Sequence, residues 1–328
     1  MKRSTQVWLS AAAAACFAIF GCQKRDASVP ESQPAAGEPA PPEAAPAPSP
    51  SELEGMTYRG FQVEANPVTL VGGRWEGDPE PGGGAARPQI ALARDFRLVG
   101  DLDADGSDEA VVLLAESSGG TGVQLYLAVV DRQVGELRNV ATAPLGDRVQ
   151  VREARIEEGR ILVDLVQAGA QDAMCCPGEL VTRGWHLLPG GLEEFVTSSK
   201  SGRLSLETLS GNEWVLRRWT WDEAAPEAPE VTLAFQEGKF VGKSGCNSYF
   251  APATAGEMPG DVDVGPAGST RMSCPEPAMQ IENRFLEQLA AVKKYGFLAG
   301  QLALTYQAQG AAEVMLFERR EPSAAGGQ

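Results

Sequence analysis

Oxygen-bearing side chains fall on every second position from 101 to 109: Asp101, Asp103, Asp105, Ser107 and Glu109, with Gly106 among them. Carboxylates at the first, third and fifth positions converge on one point when the backbone wraps a hard cation such as calcium, and glycine at the sixth permits the sharp turn. Ser107 would offer its carbonyl at the seventh position and Glu109 its carboxylate at the ninth. An EF-hand is excluded: its bidentate glutamate belongs at the twelfth position, where Val112 stands, and the apolar run that follows reads as a strand, not a helix. The carboxylates at the ligand positions would repel one another without a counter-ion, so a bound cation would be structural and would rigidify the loop. The same residues also make an ordinary solvated Asp/Gly turn with no metal. Both readings stand at this stage.

Other chemistry is thin. The one histidine of the chain, His186, rules out multi-histidine metal centres and leaves neutral-pH proton transfer to a single imidazole or to perturbed carboxylates. It lies in the alternating run Arg183-Gly-Trp185-His186-Leu-Leu188, where a packed or surface histidine is expected. With 28 Lys+Arg against 44 Asp+Glu and a formal net charge of -16, the chain is not built to neutralise phosphates, and no nucleic-acid partner is expected. Two phosphate-loop look-alikes fail. Between Gly238 and Gly242 there are three residues where a Walker A loop needs four, and 119–122 lacks the helix of a dinucleotide fingerprint.

Elements must position these groups, and the amino terminus comes first. Met1-Lys2-Arg3 is a basic start, and the apolar run 7–20 is shorter than the roughly 20 residues of a membrane span. Residues 1–21 therefore read as a signal peptide. The run ends in Ile19-Phe20-Gly21-Cys22, which resembles a bacterial lipobox, departing from it at Phe20 where a smaller residue is commoner. That resemblance implies lipidation of Cys22 with diacylglyceryl and palmitate chains. Gln23, in place of an acidic residue, implies an outer-membrane, lipid-anchored, periplasm-facing protein. Loss of Lys2 and Arg3 would take the net charge from -16 to -18. Residues 22–55 read as a disordered tether, since eight of the 21 residues from Pro30 to Pro50 are proline and none there is aromatic or large aliphatic.

Residues 56–198 read as an antiparallel β-rich module. Apolar runs 110–114 and 123–130 flank the turn-forming 117–122, runs 149–152 and 161–166 flank 157–159, and runs 179–187 and 192–196 flank 188–191. The polar stretch 197–202 marks a boundary. A second module follows over 203–320, and 321–328 reads as a disordered tail. The expected class is mainly β with an α+β second module. The Asp-rich loop before a strand resembles the calcium loops of FG-GAP-type β repeats, but only one copy is visible and a repeated propeller is not supported.

In an oxidising periplasm four cysteines would remain to pair. Cys246 with Cys274, both in the second module, is the favoured bond. Cys175 and Cys176 would then form an adjacent pair or remain two buried thiols. Closing the segment between Cys246 and Cys274 would contribute about 3 kcal/mol in the chain-entropy picture. A redox role is disfavoured because the Cys-x-x-Cys spacing is absent, and a zinc site because no histidine stands near.

The second module carries ordered motifs: Gly211-Asn-Glu-Trp214-Val-Leu216, then Gly245-Cys246-Asn247-Ser-Tyr249, then Thr270-Arg-Met272-Ser-Cys274, and Glu282-Asn-Arg-Phe285-Leu286. Together they resemble the META (HslJ-like) domain. The resemblance implies a curled antiparallel sheet packed on one helix and brings no catalytic residue with it. On the residues alone, Gly245 and Asn247 tolerate the positive φ of a tight bend. Pro275, Glu276 and Pro277 begin a helix, with Ser273 as its cap, whose Ala278, Ile281 or Glu282, Phe285, Leu289 and Val292 share one side. Trp214, Phe235 and Phe285 are expected in the core.

The expected function is that of a noncatalytic lipoprotein whose META domain binds an envelope protein, a peptide or a small ligand in envelope maintenance or stress tolerance. The rival is a periplasmic hydrolase or protease-directed inhibitor. A cluster of Asp164, Asp172 and His186 within hydrogen-bond reach beside a serine would favour the rival.

Overall fold

The computed structural model describes residues 45–79, 86–195 and 200–320. The signal peptide, Cys22 and the tail 321–328 lie outside them, as do residues 197–199 of the expected boundary 197–202. A short helix α1 (Pro50–Leu53) precedes a ribbon of β1 (Thr57–Tyr58) and β2 (Val68–Thr69). Five strands then pair antiparallel in chain order: β3 (Arg74–Glu76), β4 (Gln89–Gly100), β5 (Glu109–Ser117), β6 (Gln124–Gln133) and β7 (Glu136–Asp147). A second sheet holds β8 (Gln150–Glu157), β9 (Arg160–Gln167), β10 (Glu179–Leu188) and β11 (Gly191–Phe195), with β12 (Lys200–Arg203) on the other part of β10. All three expected hairpins form. The turn of β8 and β9 places Glu158 and Gly159 at positive φ of 51 and 71°, the conformation a two-residue hairpin loop requires.

Strand β5 is apolar at successive positions because both of its faces are covered. Val111 and Leu113 face Val151, Ile161, Val163, Leu165 and Trp185 of the second sheet. Ala110, Val112 and Leu114 face the other way, onto Leu53, Met56, Tyr58, Phe61, Val68 and Leu70. The expected tether 22–55 therefore runs too far. From residue 45 the chain belongs to the fold, because Leu53 joins Met56, Tyr58, Phe61, Val68 and Leu70 in covering the second apolar face of β5 and β6. Leu53 is 2% exposed, Ser49 caps α1 by accepting the Glu52 amide at 3.4 Å, and Arg132 pairs with Glu52 at 2.9 Å.

The second module curls into a nearly closed barrel. Its strands are β13 (Trp214–Arg218), β14 (Thr232–Gln236), β15 (Lys239–Lys243), β16 (Ser248–Ala255), β17 (Val262–Val264), β18 (Gly268–Ser269), β19 (Val292–Leu298), β20 (Gln301–Ala308) and β21 (Ala311–Arg319). They run β17-β16-β15-β14-β13-β21-β20-β19, with β18 on β16. The two ends meet where the Tyr295 amide donates to the Gly260 carbonyl at 2.7 Å. One helix, α2 (Ala278–Ala290), turns Ile281, Phe285 and Leu289 into a core shared with Trp214, Phe235, Tyr249 and Phe317. Two details differ from expectation. The residue before the helix is Pro277, not Ser273; Glu276 accepts the Gln280 amide at 3.2 Å, so the acceptor comes from the last turn of the loop. Val292 belongs to β19, because the helix stops at Ala290.

The modules share packing. Val166 and Leu180 enter the core of the second module, the Gly300 amide donates to the Val151 carbonyl at 2.9 Å, and the Phe297 amide donates to Gln150 Oε1 at 2.9 Å. Because β12 pairs with β10 as far as Arg203, the end of the expected boundary 197–202 is a strand of the first module's second sheet.

Candidate metal centre

The loop from 101 to 108 joins β4 to β5 and is pinned at two points. Leu102 is buried in the sandwich core, and Gly100 pairs with Glu109 across the strand ends. Positive φ at Ala104 (63°) and Gly106 (92°) wraps the backbone between them. Oxygen atoms of Asp101, Asp103 and Glu109 lie within 4.8 Å of one another. Asp101 accepts the Ala104 amide at 2.7 Å and the Gly106 amide at 3.2 Å, and Asp103 accepts that of Asp105 at 3.2 Å.

Glu109 is the informative member. Its side chain is 0% exposed; Oε2 accepts the Leu102 amide at 2.7 Å, while Oε1 has no hydrogen-bond partner among the described residues. A buried carboxylate oxygen without a donor costs free energy. Burial pushes the Glu109 carboxyl up to about 7, the Leu102 amide opposes this, and Asp103, Asp131 and Asp105 add repulsion. The Asp103 carboxyl is raised by burial first and then by Asp105. A hard cation would satisfy the orphaned oxygen and cancel the repulsion, so this donor set fits one.

Of the five expected ligands the geometry gathers three. Asp105 stands apart from the cluster because its Oδ1 accepts the Ser107 amide at 2.7 Å, an Asx turn that aims it along the loop. Ser107 contributes that amide. Asp131 was missed by sequence reasoning. It follows Val130, the register partner of Ala110 on β6, so it lies beside Glu109 and acts on both Glu109 and Asp103. Its only sequence signal is an acid ending a buried apolar run.

Cys246 pairs with Cys274 as favoured, at a Cα separation of 6.0 Å, and of the two alternatives left open for Cys175 and Cys176 the structure has the adjacent pair. Beside the former bond, the buried Glu282 of α2 accepts from the Asn247 amide at 2.8 Å, Asn247 Nδ2 at 3.1 Å and Ser244 Oγ at 3.0 Å. Asn247 Oδ1 in turn accepts from Thr270 Oγ1 at 2.7 Å and the Met272 amide at 2.8 Å. Three of the four quoted motifs thus meet at one buried junction.

The hydrolase constellation does not assemble. Asp164 pairs with Arg155 at 3.2 Å and accepts from Thr182, while Asp172 is held by Arg203 and the amides of Gly169 and Gly178. His186 is exposed and packs on Phe195 with ring centroids 4.5 Å apart. Thr182, opposite Asp164, and His186 are four positions apart on β10, about 13 Å at the rise of a strand.

Two solved structures align with part of the chain. A protein from Burkholderia xenovorans solved by NMR is 21% identical over 39% of this chain and 99% of its own, with a TM-score of 0.28. Another protein solved by NMR is 20% identical over 35% of this chain and 94% of its own, with a TM-score of 0.29. No curated protein matches the chain. Residues 207–321, which hold the Asn247–Glu282 junction, match the META domain, and the chain carries a META domain there.

Proposed function

We propose that the chain is a noncatalytic lipoprotein, anchored to the outer membrane through an acylated Cys22 and facing the periplasm, which acts by binding in envelope maintenance or stress tolerance. The observation that carries this reading over turnover is the commitment of three carboxylates, those of Glu282, Asp172 and Asp164, to the fold. Glu282 is spent on Asn247 and Ser244, Asp172 on Arg203 and two amides, and Asp164 on Arg155 and Thr182. A general acid or base needs a proton-exchanging atom free to reach substrate, and these atoms are saturated by the protein itself. A structural calcium ion on Asp101, Asp103 and Glu109, supported by the orphaned Glu109 Oε1, holds the loop of the first module.

The test is fractionation of cells expressing the full chain with radiolabelled palmitate. Wild type is expected in the outer-membrane fraction and labelled, and Cys22→Ala is expected soluble and unlabelled. A Cys22→Ala chain that stays in the membrane overturns the anchor. Turnover of ester, peptide or glycoside substrates by the purified chain, abolished by His186→Ala, overturns the noncatalytic reading.

A further inference from the structure

We infer that the cleft between the two modules binds an amphiphile with a single acyl chain and an anionic oxygen head, carboxylate or phosphate. The inference deepens the binding reading above by naming a ligand class, and its test does not depend on anchoring.

Two cavities adjoin there. One, of about 510 Å³, lies among Arg97 and Arg152 of the first module and Arg217, Arg218 and Arg319 of the second. The other, of about 460 Å³, is lined by Leu92, Leu113 and Leu125 of the first module and by Trp221, Leu298 and Leu316 of the second. They share Asp95, Arg218, Ala299 and Gln301, so the cationic and the apolar parts are continuous. Both volumes fall in the range of about 300–1,000 Å³ typical of small-ligand sites.

The charge is out of keeping with the molecule. In a chain of net charge -16, the first cavity gathers five guanidinium groups against the carboxylates of Asp95, Glu153 and Glu318. Two of those carboxylates are occupied: Arg217 pairs with Glu318 at 2.7 Å and Arg319 with Glu153 at 2.8 Å. Arg152 has no ion-pair partner among the described residues, its guanidinium lying over the Phe297 ring at 5.5 Å. Among the described residues the Arg218 guanidinium is spent only on the Trp221 carbonyl, at 3.2 Å. The Nε atoms of Arg152 and Arg319 are buried without a hydrogen-bond partner among the described residues. Guanidinium forks with donors to spare match the paired oxygens of a carboxylate or phosphate.

The apolar part decides what carries that head. Trp221 is 54% and Leu298 36% exposed, and both stand on this cleft. A polar anion would leave their surface wet, whereas an acyl chain beside them recovers about 25 cal/mol for each Å² it removes from water.

The experiment uses the full chain bearing Cys22→Ser and calorimetric titration with four probes: decyl phosphate, decanoate, decanol and inorganic phosphate. At least one of the two anionic amphiphiles is expected to bind tenfold or more tighter than both decanol and inorganic phosphate, and which one does identifies the head. Arg152→Met and Arg218→Met are expected to weaken that amphiphile at least tenfold while leaving decanol unchanged. Trp221→Ala, at an exposed position and with its fold checked by circular dichroism, is expected to weaken it about tenfold. Equal binding of decanol shows that the arginines select nothing, equal binding of inorganic phosphate shows that the apolar wall selects nothing, and unchanged binding in all three variants places the ligand elsewhere. Any of these overturns the inference, whatever the fractionation of Cys22→Ala gives.

Discussion

Asn247 and Glu282, on a bend and a helix that sequence holds far apart, are joined twice: the Asn247 amide donates to Glu282 Oε2 at 2.8 Å, and its side-chain Nδ2 to Oε1 at 3.1 Å. A buried carboxylate is tolerated here because both of its oxygens accept hydrogen bonds, two from Asn247 and one from Ser244 of the same bend. Glu282→Gln places an NH₂ where one oxygen met a donor. The expected cost is about 2–4 kcal/mol, from a lost charge-assisted bond and a buried donor left facing another. Urea denaturation of wild type and variant measures it, and a loss below about 0.5 kcal/mol, the scatter of ordinary surface changes, would show that the junction is incidental.

The disulfide from Cys246 to Cys274 closes the same junction covalently. Asn247 holds the segment that carries Cys274 through Thr270 and Met272, so bond and network act on one loop. Cys246→Ser/Cys274→Ser is expected to cost about 3 kcal/mol by the loop-entropy argument. Because neighbouring restraints couple, the triple variant with Asn247→Ala should depart from additivity by about 0.5–3 kcal/mol. Simple additivity in a thermodynamic cycle would mean that the two restraints are independent.

Much of this was legible from residue pattern. The three hairpins announced themselves by turn residues between apolar runs, and the helix core by three-to-four spacing at Ile281, Phe285 and Leu289. What was lost is non-local. Successive apolar residues at 110–114 declare that β5 is covered twice, yet nothing in them says by which segment, and the proline content of 30–50 masks the single large apolar residue, Leu53, at the end of the expected tether. Val292 continued the helical spacing although the helix had ended, since an inward residue at the start of a strand keeps the same phase. In the acidic loop, spacing alone brought Asp101, Asp103 and Glu109 together. It could not separate out Asp105, which a local amide satisfies, or find Asp131, which arrives through strand register.

The cover over β5 and β6 gives a sharper test of where the fold begins. Leu53 packs among Tyr58, Ile90, Val112 and Leu114. Leu53→Ala is expected to destabilise the protein by about 2–5 kcal/mol, the range of buried leucine truncations. A substitution in a true tether would change nothing measurable, so an unaltered melting temperature would return residues 45–55 to the linker.

Calcium binding to the folded loop alone should raise stability by mass action, about 2.7 kcal/mol when free calcium is a hundred times its dissociation constant. Melting curves in calcium and in chelator are expected to differ for wild type and for Asp108→Asn, whose side chain is outside the cluster. They are expected to coincide for Asp103→Asn. Coincident curves for wild type across millimolar calcium would remove the cation from the loop.

Asp172 ties the loop ahead of β10 to the end of β12. Its side chain is 2% exposed, and it accepts from Arg203 and from the amides of Gly169 and Gly178 at 2.8 and 2.9 Å. The Arg203 guanidinium first, and then the two amides, hold its carboxyl below the ordinary range. A carboxyl more acidic in the folded than in the unfolded chain contributes stability that is fully present above the unfolded value of about 4, and that contribution is lost as pH falls through the lower folded value. Both amides share Oδ2, so Asp172→Asn can keep an acceptor for the two of them but forfeits the charge and turns an NH₂ toward Arg203, and the expected deficit is about 1–3 kcal/mol at pH 7. Asparagine does not titrate, so the gap between wild type and variant should be flat from pH 7 to about pH 5 and narrow progressively below about pH 4. Denaturation midpoints at pH 7, 5, 4 and 3 check this. A gap that stays constant to pH 3 would mean that Asp172 acts through shape and hydrogen bonding alone, with its charge contributing nothing.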